Sequence, residues 1–186
     1  LLPKAHDMSR EWSLISALGP TAVPVPEALG FCESPDVTGA WFYVMGCING
    51  RPLYSNEETE EWVPEAKRLT LANSFVDVLA DLHSLDPDEI GLSDLGKRDS
   101  YVGRQLKTWY RSWTSSIEGA DFDDARAHKL QEFFLENLPE QEKARVVHGD
   151  YGLHNCLTGP DSTVAAVVDW EISTLGDPLA DLAYAL

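Results

Sequence analysis

The sequence predicts an α+β fold, with strands gathered towards its two ends and long helices between them. Short apolar runs bounded by Gly, Pro, Asn and Asp occur up to about residue 50 and again beyond Pro139. Between these regions, apolar residues recur at helical spacing through segments too long to be strands. No internal repeat and no low-complexity stretch breaks this order.

Asp7 is placed to cap a first helix in which Met8, Trp12, Ile15 and Leu18 recur on one face and Gly19 supplies a stop. Pro24 and Pro26 fix their own φ and push the residues before them out of the helical region, so 23–26 is extended. Strands are expected at 28–32 and 41–47, joined as a hairpin through the turn residues Ser34-Pro35-Asp36 and Thr38-Gly39. After Asn49-Gly50-Arg51-Pro52 the texture becomes helical, roughly over 57–85 with a break at Pro64, 102–117 and 121–138. Leu71, Phe75, Val78, Leu79 and Leu82 form an apolar stripe on the first of these. Trp62, Trp109, Tyr110 and Trp113 are expected in core packing, and Asp121, Asp123 and Asp124 on a solvated helix start. His83 reads as a satisfied helix-end histidine. Strands return at 145–147, 156–158 and 164–168, the last two separated by the turn Gly159-Pro160-Asp161-Ser162.

Composition narrows the function classes. With 186 residues, 44% of them hydrophobic, the chain can bury a real core, and no window is apolar enough to cross a bilayer. A formal net charge of −17 repels phosphate backbones and argues against a nucleic-acid partner. Cys32, Cys47 and Cys156 are odd in number and scattered, which fits a reducing compartment and leaves no CxxC pair for zinc. The chain opens on Leu1 with no signal-peptide pattern in Leu1-Leu2-Pro3-Lys4, so it reads as a piece of a longer protein in a cytoplasmic setting.

The chemistry concentrates in VVHGDYGLHN, 146–155, and the hairpin that follows it. A hairpin returns on itself, so Asn155 before its first strand and Asp169 after its second arrive at the same end. An Asn and an Asp side by side offer the hard oxygen donors that magnesium takes together with water and phosphate. Asp150 sits beside them, where a carboxylate can accept a hydroxyl proton, and this arrangement suits phosphoryl transfer. His148, His154 and Asp150 lack a fourth ligand for zinc. Gly91-Leu92-Ser93-Asp94-Leu95-Gly96-Lys97-Arg98 comes close to a P-loop but ends in Arg98 where Ser or Thr is required. No GxSxG elbow is present.

His148-Gly149-Asp150-Tyr151-Gly152-Leu153-His154-Asn155 resembles the HGDxxxxN loop of the aminoglycoside phosphotransferase family, itself similar to the protein-kinase HRDxxxxN loop. Val167-Val168-Asp169-Trp170-Glu171 is similar to that family's metal-binding segment, and Gly176-Asp177-Pro178-Leu179-Ala180-Asp181-Leu182-Ala183 to its GDPxxDLA run. Arg10-Glu11-Trp12, Val23-Pro24-Val25-Pro26 and Trp41-Phe42-Tyr43-Val44-Met45 extend the likeness over nearly the whole chain, closest to the kinase-like domains joined to acyl-CoA dehydrogenases.

The resemblance implies a protein-kinase-like fold, with 1–50 as the end of a small lobe plus hinge and 51–186 as most of a helical large lobe. It implies Asp150 as base or hydroxyl-orienting group, Asn155 and Asp169 as magnesium ligands, and the backbone of Met45, Gly46 and Cys47 as the seat of adenine. Gly46 stands where the family often carries an acidic residue. Glu11 would pair with a phosphate-holding Lys or Arg from a strand before Leu1, which this chain lacks together with the nucleotide-covering loop. His148 and Asp181 would support the loop backbone, and Asp177 would cap a helix. The activity implied for the complete protein is Mg2+- and ATP-dependent phosphorylation of a small-molecule hydroxyl, with GTP open as an alternative donor and association or fusion with an acyl-CoA dehydrogenase. On the same resemblance, the fragment alone would be inactive or very weak. The other reading is an inactive kinase-like nucleotide-binding or regulatory module.

Overall fold

A computed structural model describes residues 8–120 and 122–186. The expected cap at Asp7 and the acidic position Asp121 lie outside the described residues. The first helix, α1, spans Met8–Leu18 and buries Leu14, Ile15 and Leu18. Trp12, on the same helix, stacks on Phe31 with ring centroids 5.8 Å apart.

The first hairpin pairs β1 (Ala28–Cys32) with β2 (Phe42–Met45), antiparallel and in register from Cys32 opposite Phe42. The second strand, Phe42–Met45, is shorter at both ends than expected, although the Gly46 N–H still donates to Glu27 O at 2.8 Å, one step beyond the Ala28–Met45 pair. The connection holds a short helix, α2 (Pro35–Thr38), where only a turn was expected. Ser34 Oγ accepts from Asp36 N at 3.2 Å and Pro35 occupies the first turn, so the turn residues are also a complete helix start.

Pro64 breaks the following helical run as expected, giving α3 (Asn56–Trp62), a 3-10 turn at Glu65–Lys67 and α4 (Arg68–Ser84). Ser55 caps α3 by accepting from Glu58 N, while Glu58 Oε2 accepts from Tyr54 N at 2.7 Å. In the stripe of α4, Leu71, Val78, Leu79 and Leu82 are buried, and Phe75 packs on Tyr151 with centroids 4.6 Å apart. Each such burial contributes about 1.5–3 kcal/mol, so this face anchors the helix.

Helices α5 (Tyr101–Ile117) and α6 (Ala125–Glu136) follow. The second starts later than expected because Asp124 is its cap, accepting from Arg126 N at 2.9 Å. Trp109 is 70% exposed, which overturns its expected place in the core. Tyr110 and Trp113 do pack, against His128.

The remaining strands form two antiparallel pairs. β3 (Arg145–Val147) pairs with β6 (Thr174–Gly176), and β4 (Cys156–Thr158) pairs with β5 (Val164–Val167). The sequence reading missed β6. Helix α7 (Pro178–Ala185) starts at Asp177, whose Oδ1 accepts from Leu179 N at 3.0 Å, as expected of that residue.

One apolar cluster joins Leu14, Ile15 and Leu18 to the α4 stripe, to Val146, Val164 and Leu175 of the later strand pairs, and to the fully buried Tyr151 and Trp170. The extended proline segment enters it directly: Pro24 cannot donate, but its carbonyl accepts from Val167 N at 2.8 Å. Just past residue 50 the chain locks onto the second hairpin through Arg51 N to Thr158 O at 3.1 Å and Thr158 N to Arg51 O at 2.9 Å. Among the described residues no helix is long and apolar enough to cross a membrane.

Candidate active site

The loop after β3 is shaped by one glycine and one buried carboxylate. Gly149 has φ +87°, and a Cβ there would also meet the Ile172 side chain at 3.2 Å, so a larger residue is doubly disfavoured. Asp181, 1% exposed on α7, accepts from His148 N and Gly149 N at 2.8 Å each. It also meets His83 Nε2 at 3.0 Å, so the helix-end histidine of α4 is part of the same network.

His148 ties this loop to the hairpin. Its Nε2 lies 3.0 Å from Val168 O and its Nδ1 3.3 Å from Asp150 N. A carbonyl on one side and an amide on the other require the neutral tautomer with Nε2–H donating and Nδ1 accepting. Burial pushes the imidazole below its ordinary value, against the opposing pull of Val168 O and the nearby carboxylates. Ser173 Oγ donates to His148 O at 3.1 Å, and the ring lies against Trp170 with centroids 4.7 Å apart.

Asn155 N and Cys156 N both donate to Gly152 O, folding the end of the loop into a tight turn. From there Asn155 Nδ2 reaches back to Asp150 O at 2.9 Å and Asp150 Oδ2 at 3.0 Å. This orients the amide and leaves its oxygen pointing away from Asp150. Val168 N donates to Asn155 O at 2.9 Å, which extends the β4–β5 ladder by one step and brings Asp169 beside Asn155. Asp169 then turns off the strand with φ +65°. That conformation costs a non-glycine residue about 1–3 kcal/mol and is found where surrounding structure imposes it. Among the described residues no hydrogen bond or ion pair reaches the Asp169 carboxylate, and no cluster of three His, Cys, Asp or Glu side chains could hold a metal. A cation here would therefore take mixed Asn155 and Asp169 oxygens, water and phosphate, a donor set that fits magnesium.

Asp150 is one-third exposed. Burial pushes its carboxyl up, but hydrogen bonds from Tyr184, His154 and Asn155, with the charge on His154, outweigh this and hold it below the ordinary aspartate value. A cleft of about 510 Å³ lined by Leu71, Phe75, Leu153 and Arg68 shares two walls, His154 and Tyr184, with the surroundings of Asp150. The sequence reading assigned no role to His154, Tyr184 or this cleft.

On the other side, Glu11 accepts from the Tyr43 hydroxyl. Burial, together with the Glu11 and Asp169 charges and the bond to Glu11, pushes the Tyr43 phenol above its ordinary range. Arg10 Nε donates to Ser173 O at 3.1 Å and fastens α1 to the segment after Asp169. Met45 and Cys47 are exposed, while the bond from Gly46 N to Glu27 O removes that amide as a donor to any ligand.

A family model described as the phosphotransferase enzyme family matches residues 1–186. The chain belongs to the phosphotransferase enzyme family. It is 38% identical over its whole length to acyl-CoA dehydrogenase family member 11 of Gallus gallus, of which it spans 23%, and 36% identical to acyl-CoA dehydrogenase family member 10 of Mus musculus, of which it spans 17%. It thus spans less than a quarter of these curated relatives. Among solved structures it superposes on a candidate aminoglycoside phosphotransferase of Ralstonia eutropha with TM-score 0.81 at 32% identity, over 96% of this chain and 54% of that one. An aminoglycoside phosphotransferase in ternary complex with ADP and hygromycin B superposes with TM-score 0.66 at 16% identity, over 95% of this chain and 59% of that one. The fold is the kinase-like α+β fold of these phosphotransferases.

Proposed function

We propose that this chain carries the phosphoryl-transfer centre of a small-molecule kinase that uses ATP and magnesium, with residues 1–50 forming the end of the small lobe and 51–186 the large lobe. The observation that supports this reading is the bond from Asn155 Nδ2 to Asp150, with Asp169 directly following Val168, whose N–H donates to Asn155 O. Asp150 accepts the hydrogen bond of an acceptor hydroxyl entering from the cleft. As the acceptor oxygen forms its bond to the γ-phosphorus, the bond from that phosphorus to the ADP oxygen breaks and the hydroxyl proton passes to Asp150. The depressed Asp150 carboxyl suits this role because it is ionised at neutral pH and ready to accept. Asn155 and Asp169 hold magnesium, which when bound offsets negative charge on the phosphates. Glu11, steadied by Tyr43, faces the phosphate side, and the segment 45–47 meets the adenine through groups other than the Gly46 N–H. The relatives' names support association or fusion with an acyl-CoA dehydrogenase.

The test is ADP release from MgATP by the full-length protein across a panel of small hydroxyl compounds, with Asp150→Asn beside it. Loss of a positioned proton acceptor should lower turnover by about 10²–10⁴-fold. Unchanged turnover in Asp150→Asn rejects the assignment, and nucleotide binding with no turnover by the wild type identifies an inactive nucleotide-binding module.

A further inference from the structure

Asp150 is held by more than the residues just assigned. His154 Nε2 lies 3.3 Å from Asp150 Oδ2, the same oxygen that accepts from Asn155 Nδ2 at 3.0 Å. The imidazole reaches that position because residue 152 is glycine. A Cβ there would stand 2.5 Å from His154 Cε1, 2.7 Å from Nδ1 and 3.6 Å from Nε2, and these ring atoms are its three nearest neighbours. Gly152 has no positive φ, so the backbone itself would accept a side chain and the space is reserved for the ring. Tyr54 lies stacked across the imidazole with centroids 6.3 Å apart, and the ring forms part of the wall of the cleft beside Asp150.

A carboxylate gripped by two donors at Oδ2, with the Tyr184 hydroxyl as a third donor to the same group, cannot rotate freely. The geometry points to His154 as a positioning residue for Asp150, seated in a slot that Gly152 keeps open. It acts through Asp150 and touches no reacting atom. The proposal rests on the reading of Asp150 as the proton acceptor.

It is tested in the full-length protein by steady-state ADP release from MgATP, with water as the only acceptor. His154→Ala should lower kcat about tenfold, the loss expected for one hydrogen bond to a charged group, with KM for MgATP unchanged. His154→Gln, whose amide nitrogen can reach the place of Nε2, should recover most of that loss. Gly152→Ala should lower kcat by displacing the ring, yet add nothing in a His154→Ala background, because the methyl group then meets empty space. If Gly152→Ala costs the same in both backgrounds, or His154→Gln is as poor as His154→Ala, the assignment is overturned. Failure of the underlying reading shows separately, as wild-type protein without turnover or an Asp150→Asn variant that keeps it, and takes this proposal with it.

Discussion

Replacing Asp181 by alanine removes one carboxylate and strands three donors. Two are backbone amides, His148 N and Gly149 N at 2.8 Å, and the third is His83 Nε2 at 3.0 Å. Asp181 and His148 are each 1% exposed or less, so water does not readily replace the carboxylate. A buried donor left unsatisfied costs about 1–3 kcal/mol, and the partly exposed His83 costs less, which sums to about 4 kcal/mol. Against a total stability of about 5–15 kcal/mol, this lowers the melting temperature by about 8–16 °C for a chain of this size. Asp181→Asn keeps one acceptor oxygen but turns an NH2 group towards a donor, so its expected loss is smaller, about 2 kcal/mol. Urea unfolding gives the two values, and amide hydrogen exchange at His148 and Gly149 should accelerate in both variants. An alanine variant within about 1 kcal/mol of wild type, or an asparagine variant less stable than alanine, would refute the view that Asp181 braces the loop through its oxygens.

Asp169→Gly should abolish phosphoryl transfer yet raise stability by up to about 1 kcal/mol, since glycine accepts φ +65° without strain; thermal unfolding and ADP release read the two effects together. Cys47 is exposed whereas burial pushes the Cys156 thiol up to about 12, so iodoacetamide at pH 8 should modify Cys47 and leave Cys156 intact until the protein unfolds. Because the folded Cys156 pKa lies above its unfolded value, its share of stability is intact below about pH 8.5 and is lost as pH rises towards 12, at up to about 1.4 kcal/mol per pH unit; urea titrations of Cys156→Ala should lack that component. His148 has the opposite sense for a base: burial lowers its pKa, the unfolded chain binds its proton more readily, and stability falls as pH drops below about 6.5. A His148→Gln variant that retains the wild-type acid slope would contradict this.

What could be read in advance depended on how local the cause was. The α4 stripe was visible because Leu71, Val78, Leu79 and Leu82 repeat with the helical period and all face one core. The nearness of Asn155 to Asp169 followed from a turn between two short apolar runs. The strand Thr174–Gly176 was missed because Leu175 is its single apolar side chain and the helix start Asp177-Pro178 follows at once, and it exists only because Leu175 and its neighbours pair with β3, about thirty positions earlier. The link from His83 to Asp181 joins residues 98 positions apart and leaves no local mark in the chain. His154 and Gly152 are adjacent enough to be seen, but in the chain a glycine that makes room for a neighbouring ring looks like any turn glycine. Trp109 shows the limit of composition: a large aromatic side chain does not by itself establish burial, and α5 leaves this one in solvent.

The contacts divide the candidate site according to which part of the chain controls it. Asp150 is held by Asn155, His154 and Tyr184, and the loop by Asp181, His83 and His148, all beyond residue 50. Acceptor-side geometry is therefore internal to 51–186. Asp169 differs, because Tyr43 and Glu11 approach it from 1–50, while Arg10 and Pro24 bind the segments on either side of it. A displacement of the first part would alter the charges facing Asp169 and leave the grip on Asp150 in place. Substitutions at Tyr43 or Arg10 should thus weaken the use of nucleotide and metal, whereas substitutions at His154 or Asp181 should act on the acceptor step. The same division gives Arg10 of α1 and Pro24 beyond it a common effect: they fix the segments on either side of Asp169 to 1–50.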